Sequence, residues 1–205
     1  MLLNQSECQQ LAEAIADVEQ STDAEIVTVL SPQADTYAFI PSLWAALICL
    51  SLPLLVYLAG FVIPIEVLLT LQWGLLGILT LMFRWPPMLR RITPRFIQYY
   101  RAAQMAKAQF LVQGIHHTEH ETGVLIFVSE FERYVEVITD RGVSRVIRDE
   151  EWQQVVDQLT AYVKRGDTLP GFLACVQQAS QLLAERLPPR TENPNELRNQ
   201  LIVLP

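Results

Sequence analysis

Two stretches of this sequence carry no charged residue over lengths that few folds can hide. Residues 40–63 run for 24 positions without an Asp, Glu, Lys or Arg. As a helix they would reach about 36 Å, against about 30 Å for a bilayer core. Residues 67–83 give 17 more, about 25 Å, at the lower limit of a span. Only Pro64, Ile65 and Glu66 lie between them. A gap that short predicts an antiparallel hairpin. Trp44, Trp73 and Trp85 are candidates for the membrane interfaces, where aromatic rings collect, with Trp73 the poorest fit because it lies well inside the second stretch. Two buried helices of a soluble domain would need a large surrounding core, and the rest of a 205-residue chain is too small to supply it. The segment also follows foldable sequence, which argues against a signal peptide.

The flank of the second stretch predicts an orientation. Arg84, Arg90, Arg91, Arg95, Arg101 and Lys107 follow it with no acidic residue among them. By the positive-inside rule this flank is cytoplasmic, and a hairpin returns residues 1–39 to the same side. The expectation is a two-span membrane protein with both termini and the soluble domain in the cytoplasm. The whole chain has net charge −7, so without those six cations the remainder carries −13. The basic stretch therefore reads as a local contact with anionic lipid headgroups. It does not read as a nucleic-acid footprint, which needs a basic domain face. Cys8, Cys49 and Cys175 are isolated, without a Cys-x-x-Cys pair, which fits a reducing compartment.

Around the hairpin the pattern is that of an α/β domain. Ser6 and Gln9 have capping-box spacing, and Leu11, Ile15 and Val18 follow at helical intervals, predicting a helix over 6–20. Residues 25–30 (EIVTVL) read as a strand. Residues 95–112 read as a helix leaving the interface, stopped near Gly114. The run GVLIFVS at 123–129 is apolar enough for a central strand buried on both faces, and YVEVIT at 134–139 predicts its hairpin partner. Asp149, Glu150 and Glu151 open an amphipathic helix that Gly166 closes. A second apolar stripe runs from Leu169 to Leu187, and residues 201–204 read as a short edge strand. The predicted organisation is a discontinuous domain (1–39 plus 95–190), a hairpin (40–83), a basic juxtamembrane segment (84–94) and a tail (191–205).

The stretch 122–143 (TGVLIFVSEFERYVEVITDRGV), the strand opening at 24–27, the Trp152 helix and the PNEL sequence at 194–197 together resemble the TPM-domain family, in its bacterial membrane branch with a hairpin inserted at this place. The resemblance implies an α/β/α sandwich around a small mixed sheet. It implies less about activity. Relatives include a thylakoid photosystem II repair factor with acid phosphatase activity and an auxiliary protein of an animal ligand-gated channel, and some members bind calcium. A shared fold does not transfer chemistry.

Candidate site residues follow from the strand ends. Asp140 closes the 134–139 strand, and strand ends in α/β folds border ligand clefts. Asp140 is the candidate catalytic carboxylate of a phosphatase or metal-dependent hydrolase. With Glu25 and Asp149 it is also a candidate ligand set for a divalent cation such as calcium, which takes several oxygens. No cofactor is firmly implied. The competing reading of Asp140 is turn chemistry with a salt bridge to a neighbouring arginine. His116, His117 and His120 form HHxxH in a predicted loop without the HExxH order of a zinc protease, and Ser129 lacks the GxSxG elbow. With no recognisable catalytic constellation, the leading expectation is a non-catalytic accessory or assembly module. It would dock a membrane-protein partner at the inner face of the membrane.

Overall fold

The structure, a computed structural model, describes residues 4–190, Leu197 and residues 201–204. They form two compact units. One comprises the described residues up to Ala34 together with those from Tyr99 onward; the other is Asp35–Gln98.

The first unit is built on a mixed sheet. Strands β1 (Glu25–Ser31), β2 (Gly123–Ser129), β3 (Tyr134–Thr139) and β4 (Leu201–Val203) lie in the order β3-β2-β1-β4. β1 is parallel to both β2 and β4, while β2 and β3 are antiparallel. Every residue of β1 and β2 is buried, as expected for apolar strands covered on both faces. One face packs Ile26, Leu30, Val124, Ile126 and Val128 against helices α1 (Gln5–Glu19), α7 (Asp149–Arg165) and α8 (Thr168–Arg186). The other face packs Val27, Val29, Leu125 and Phe127 against Ala102 and Ala106 of α5 (Arg95–Val112). The result is the expected α/β/α sandwich. Small residues on α5 let that helix lie close to the sheet. The antiparallel β2–β3 pair and the 201–203 edge strand also match the sequence reading.

Several local expectations need correction. Helix α1 is capped by Asn4 rather than Ser6. The Glu7 amide donates to Asn4 Oδ1 at 2.9 Å and Glu7 Oε2 accepts from the Asn4 amide at 2.7 Å, a reciprocal capping box two residues earlier. Asp140 and Gly142 do not simply end β3, because residues Arg141–Ser144 form a short helix, α6. Of the PNEL sequence, residues 194–196 lie outside the described residues.

The second unit contains α2 (Phe39–Leu58), α3 (Ile65–Phe83) and α4 (Pro86–Ile92). The turn between the long helices is Ala59–Pro64, not Pro64 to Glu66. Gly60 takes φ +74°, a left-handed value that glycine adopts without penalty and that stops α2 early. Pro64 then precedes α3, and Glu66 falls in the first helical turn. Within the basic segment 84–94, paired prolines at the first positions of α4 start a helix, because their missing amides would be unpaired anyway. The Trp44 indole donates to the Ile92 carbonyl at 3.1 Å, tying α2 to the end of α4.

The two long helices meet through a polar contact deep in an apolar pair. Pro53 lies inside α2 and has no N–H, so the Cys49 carbonyl four residues earlier lacks its helical donor. Gln72 of α3 supplies it: its amide nitrogen donates to Cys49 O at 3.1 Å. The Cys49 thiol donates in turn to the Gln72 carbonyl at 3.6 Å. Both helices are long and apolar enough to cross a membrane. None of the apolar window of α3 is buried.

Candidate functional site

The sheet presents two edges where polar side chains gather. At the carboxyl ends of the parallel strands stand Ser31 and Ser129, both buried. The Ser129 hydroxyl makes a short hydrogen bond to Glu132 Oε2. Both oxygens of Glu132 accept from the Ala34 amide, at 3.1 and 3.3 Å. The amides of Glu130 and Phe131 donate to the carbonyls of Ser31 and Pro32, each at 3.0 Å. Thr168 Oγ1 donates to Glu130 Oε1 at 3.0 Å. These bonds lash the chain after β1 to the β2–β3 turn. Glu132 is only 3% exposed, and a buried carboxylate needs donors of this kind. Nothing in the sequence analysis singled Glu132 out. The available signal was its Ser-x-x-Glu spacing from Ser129.

Asp140 and Glu25 lie at the opposite edge. β3 runs against β2, so its last residue sits beside the first residues of β1 and β2. Glu25 pairs with Gly123 in the parallel ladder, and the Asp140 amide donates to Gly123 O at 2.9 Å. The structure thus brings both acids to either side of Gly123. The cleft argument, which concerns the carboxyl ends of parallel strands, applies instead to Ser31 and Ser129. Asp140 caps α6: its Oδ1 accepts from the Arg141 amide at 2.7 Å, and its carbonyl accepts from Ser144 N and Oγ, both at 3.0 Å. Its Oδ2 is buried without a partner among the described residues. Glu25 Oε2 accepts from the Leu197 amide at 3.1 Å. Gly142 allows this corner to close, since a Cβ there would stand 2.6 Å from the carbonyl oxygens of both His120 and Glu121.

Asp149 is the exposed first residue of α7 and lines the cleft beside β3. Among the described residues, no group of three or more His, Cys, Asp or Glu side chains converges where it could hold a metal ion. His116 and His117 sit in a 3-10 turn with their rings 3.9 Å apart.

A third polar cluster was not read from the sequence. Tyr134 and Glu136 share a face of β3, and the Tyr134 hydroxyl donates to Glu136 Oε2 at 3.0 Å. The Tyr99 ring lies 5.5 Å from that of Tyr134. Burial pushes the Glu136 carboxyl above the usual range, opposed by the Tyr134 hydrogen bond and by Lys107. Burial, then the charge and hydrogen bond of Glu136, push the Tyr134 phenol up as well.

The six cations are all exposed. Arg84 caps α3, Arg90 and Arg91 lie in the last turn of α4, Arg95 opens α5, and Arg101 and Lys107 follow along it. Exposed Trp85, Phe96 and Tyr100 alternate with them in sequence.

Residues 90–182 match the TPM domain family. The matched span runs from the end of α4 through α5, β2, β3, α6 and α7 into α8. It therefore contains Asp140, Asp149 and the Tyr134–Glu136 pair, while Glu25 and β1 lie before it. The whole chain is similar in fold to a solved structure, the NMR structure of BA42 protein from the psychrophilic bacterium Bizionia argentinensis. That likeness has a TM-score of 0.61 at 17% identity and covers 99% of this chain and 96% of the other. Comparison with curated proteins finds no match. The TPM resemblance read from the sequence is thus shown for the segment that carries its longest motif.

Proposed function

We propose that this chain is a membrane-anchored TPM-domain protein whose cytoplasmic domain serves as a non-catalytic accessory or assembly module for a membrane partner. The observation that carries this reading is the distribution of exposed apolar side chains. Large hydrophobic residues stand exposed along α2 and α3 from Phe39 to Met82, including Leu47, Leu54, Tyr57, Leu71 and Ile78. Water disfavours an apolar surface this extended, and a bilayer accommodates it. At about 1.5 Å per residue, α2 and α3 reach about 30 Å and 28 Å, matching a bilayer core. The cations after α3 provide both the positive-inside signal and an electrostatic contact with anionic headgroups.

The accessory role is supported by the use the domain makes of its acids. Glu132, Glu130 and Glu25 each accept hydrogen bonds that join separate chain segments. These acids contribute to the architecture of the sheet edges. The test is recovery of the full chain from bacterial membranes after alkaline carbonate washing, followed by in-cell cross-linking and mass spectrometry. The reading expects the chain in the washed membrane fraction with a reproducible membrane-protein partner. Release by carbonate would overturn the anchor. An integral protein that cross-links to nothing across growth states would overturn the accessory role.

A further inference from the structure

The β3 edge has backbone hydrogen-bonding capacity that the described sheet does not use. β3 ends the strand order. The Asp140 amide bonds Gly123 O, which makes Gly123 and Asp140 a hydrogen-bonded pair. In an antiparallel ladder such pairs alternate with non-bonded ones. Ile138, Glu136 and Tyr134 therefore bond toward β2, in register with Leu125, Phe127 and Ser129. Val135, Val137 and Thr139 turn their amides and carbonyls outward.

What lies beside that edge is a groove. A cavity of about 310 Å³ runs between β3 and α7, lined on the helix side by Asp149, Trp152, Gln153 and Val156. Trp152 is 5% exposed, and its indole N–H is buried without a hydrogen-bond partner among the described residues. Most buried indole N–H groups have a partner. The ionisable groups lining the groove, Tyr134 apart, are Glu136 and Asp149, both acids. Arg148, just before α7, lies 3.8 Å from Glu151, and Lys107 of α5 favours the charged form of Glu136.

We propose that β3 receives an extended, apolar segment of a partner protein bearing lysine or arginine, which adds to the sheet beside α7. The outward amides and carbonyls of Val135, Val137 and Thr139 would give main-chain pairing, as in other strand-addition complexes. Trp152 and Val156 offer apolar contact to alternate side chains, and Asp149 at the start of α7 selects a cation. A second copy of this chain is a poorer occupant. Two β3 edges side by side would set Glu136 and Asp149 of one copy against the same acids of the other, and facing like charges destabilise strand pairs. This rests on the accessory reading and names its docking surface.

The test uses the full chain in detergent micelles and a labelled seven-residue peptide of alternating valine and threonine with lysine at both ends. Fluorescence anisotropy is expected to show saturable binding. The same peptide with a central proline, or with glutamate ends, is expected to bind at least ~10-fold more weakly. The double variant Asp149→Asn with Gln153→Lys alters two exposed side chains and is expected to weaken the lysine peptide ~10-fold while leaving far-UV dichroism unchanged. Val137→Pro removes one outward amide at an edge position that tolerates proline, and is expected to weaken binding without unfolding. Equal binding of all three peptides would overturn the proposal, as would no saturable binding. A β3–β3 dimer trapped through Thr139→Cys would also overturn it. If the peptide fails while cross-linking still recovers a membrane partner, the accessory reading stands and docking lies elsewhere.

Discussion

The Gln72–Cys49–Pro53 arrangement makes a quantitative prediction about the apolar hairpin. Proline removes the donor that the Cys49 carbonyl would have within α2, and Gln72 replaces it at 3.1 Å, within the normal range. Interhelical hydrogen bonds in membranes contribute about 0.6 kcal/mol on average and up to about 1.7 kcal/mol. An unsatisfied buried carbonyl costs about 1–3 kcal/mol. Gln72→Leu is therefore expected to destabilise helix pairing by about 1–2 kcal/mol. In a Pro53→Ala background the restored amide can bond Cys49 O within α2, and the same Gln72 substitution should then cost under ~0.5 kcal/mol. The two sites are expected to couple by about 1 kcal/mol in a double-mutant cycle. In a Cys8→Ser background, dyes attached at Leu43→Cys and Met82→Cys, both exposed near the open end of the hairpin, would report helix separation as SDS is titrated into micelles. Equal costs of Gln72→Leu in the two backgrounds would refute the reasoning, because Gln72 would then not be replacing the proline's missing donor.

Three further outcomes follow from the unit that holds the sheet. Glu136 has a folded pKa raised above its unfolded value, so the folded state holds the extra proton. The stability it contributes is complete below the ordinary glutamate range and is lost as pH rises through its folded value; thermal melts from pH 4 upward should show a shallower decline for Glu136→Gln than for the parent chain. Gly142→Ala places a Cβ 2.6 Å from two carbonyl oxygens and should lower stability by about 1–3 kcal/mol in urea titrations, with a null effect contradicting the closed corner. Burial pushes the Cys175 thiol up to about 12, so it should resist thiol reagents at pH 8 in the folded chain, whereas half-buried Cys8 reacts.

The parts legible in the sequence are those that periodicity or charge alone dictates. GVLIFVS could only be a strand covered on both faces, and the Trp152 stripe could only be one face of a helix. The absence of charge from 40 to 63 and from 67 to 83 identified the apolar pair for the same reason. That absence could not place the turn, because residues 59–64 are uncharged and the one acid nearby, Glu66, falls inside α3. The local signal was Gly60, whose left-handed φ shows only in the fold. Asn4 and Ser6 are both good cap residues, so spacing alone did not choose between them. Residues 84–94 stood out in the sequence only for their charge, although the prolines at 86 and 87 also mark a helix start. The candidate site was legible as a list of acids and not as an arrangement. Asp140 and Glu25 meet at Gly123 only because β3 pairs back on β2. Glu132 binds Ala34 across 98 positions of sequence, and no local pattern reports a partner that distant.

The central claim is that the α2–α3 hairpin crosses the bilayer and returns the TPM domain to the cytoplasm. The most direct measurement is labelling of introduced cysteines by a membrane-impermeant maleimide in spheroplasts, before and after permeabilisation, in a Cys8→Ser background that keeps only the buried Cys49 and Cys175. Val62→Cys lies in the turn between the helices and Glu150→Cys on exposed α7. The account predicts that Val62→Cys labels from outside in intact spheroplasts and that Glu150→Cys labels only after permeabilisation. Labelling of Glu150→Cys from outside, or protection of both positions until permeabilisation, would contradict it.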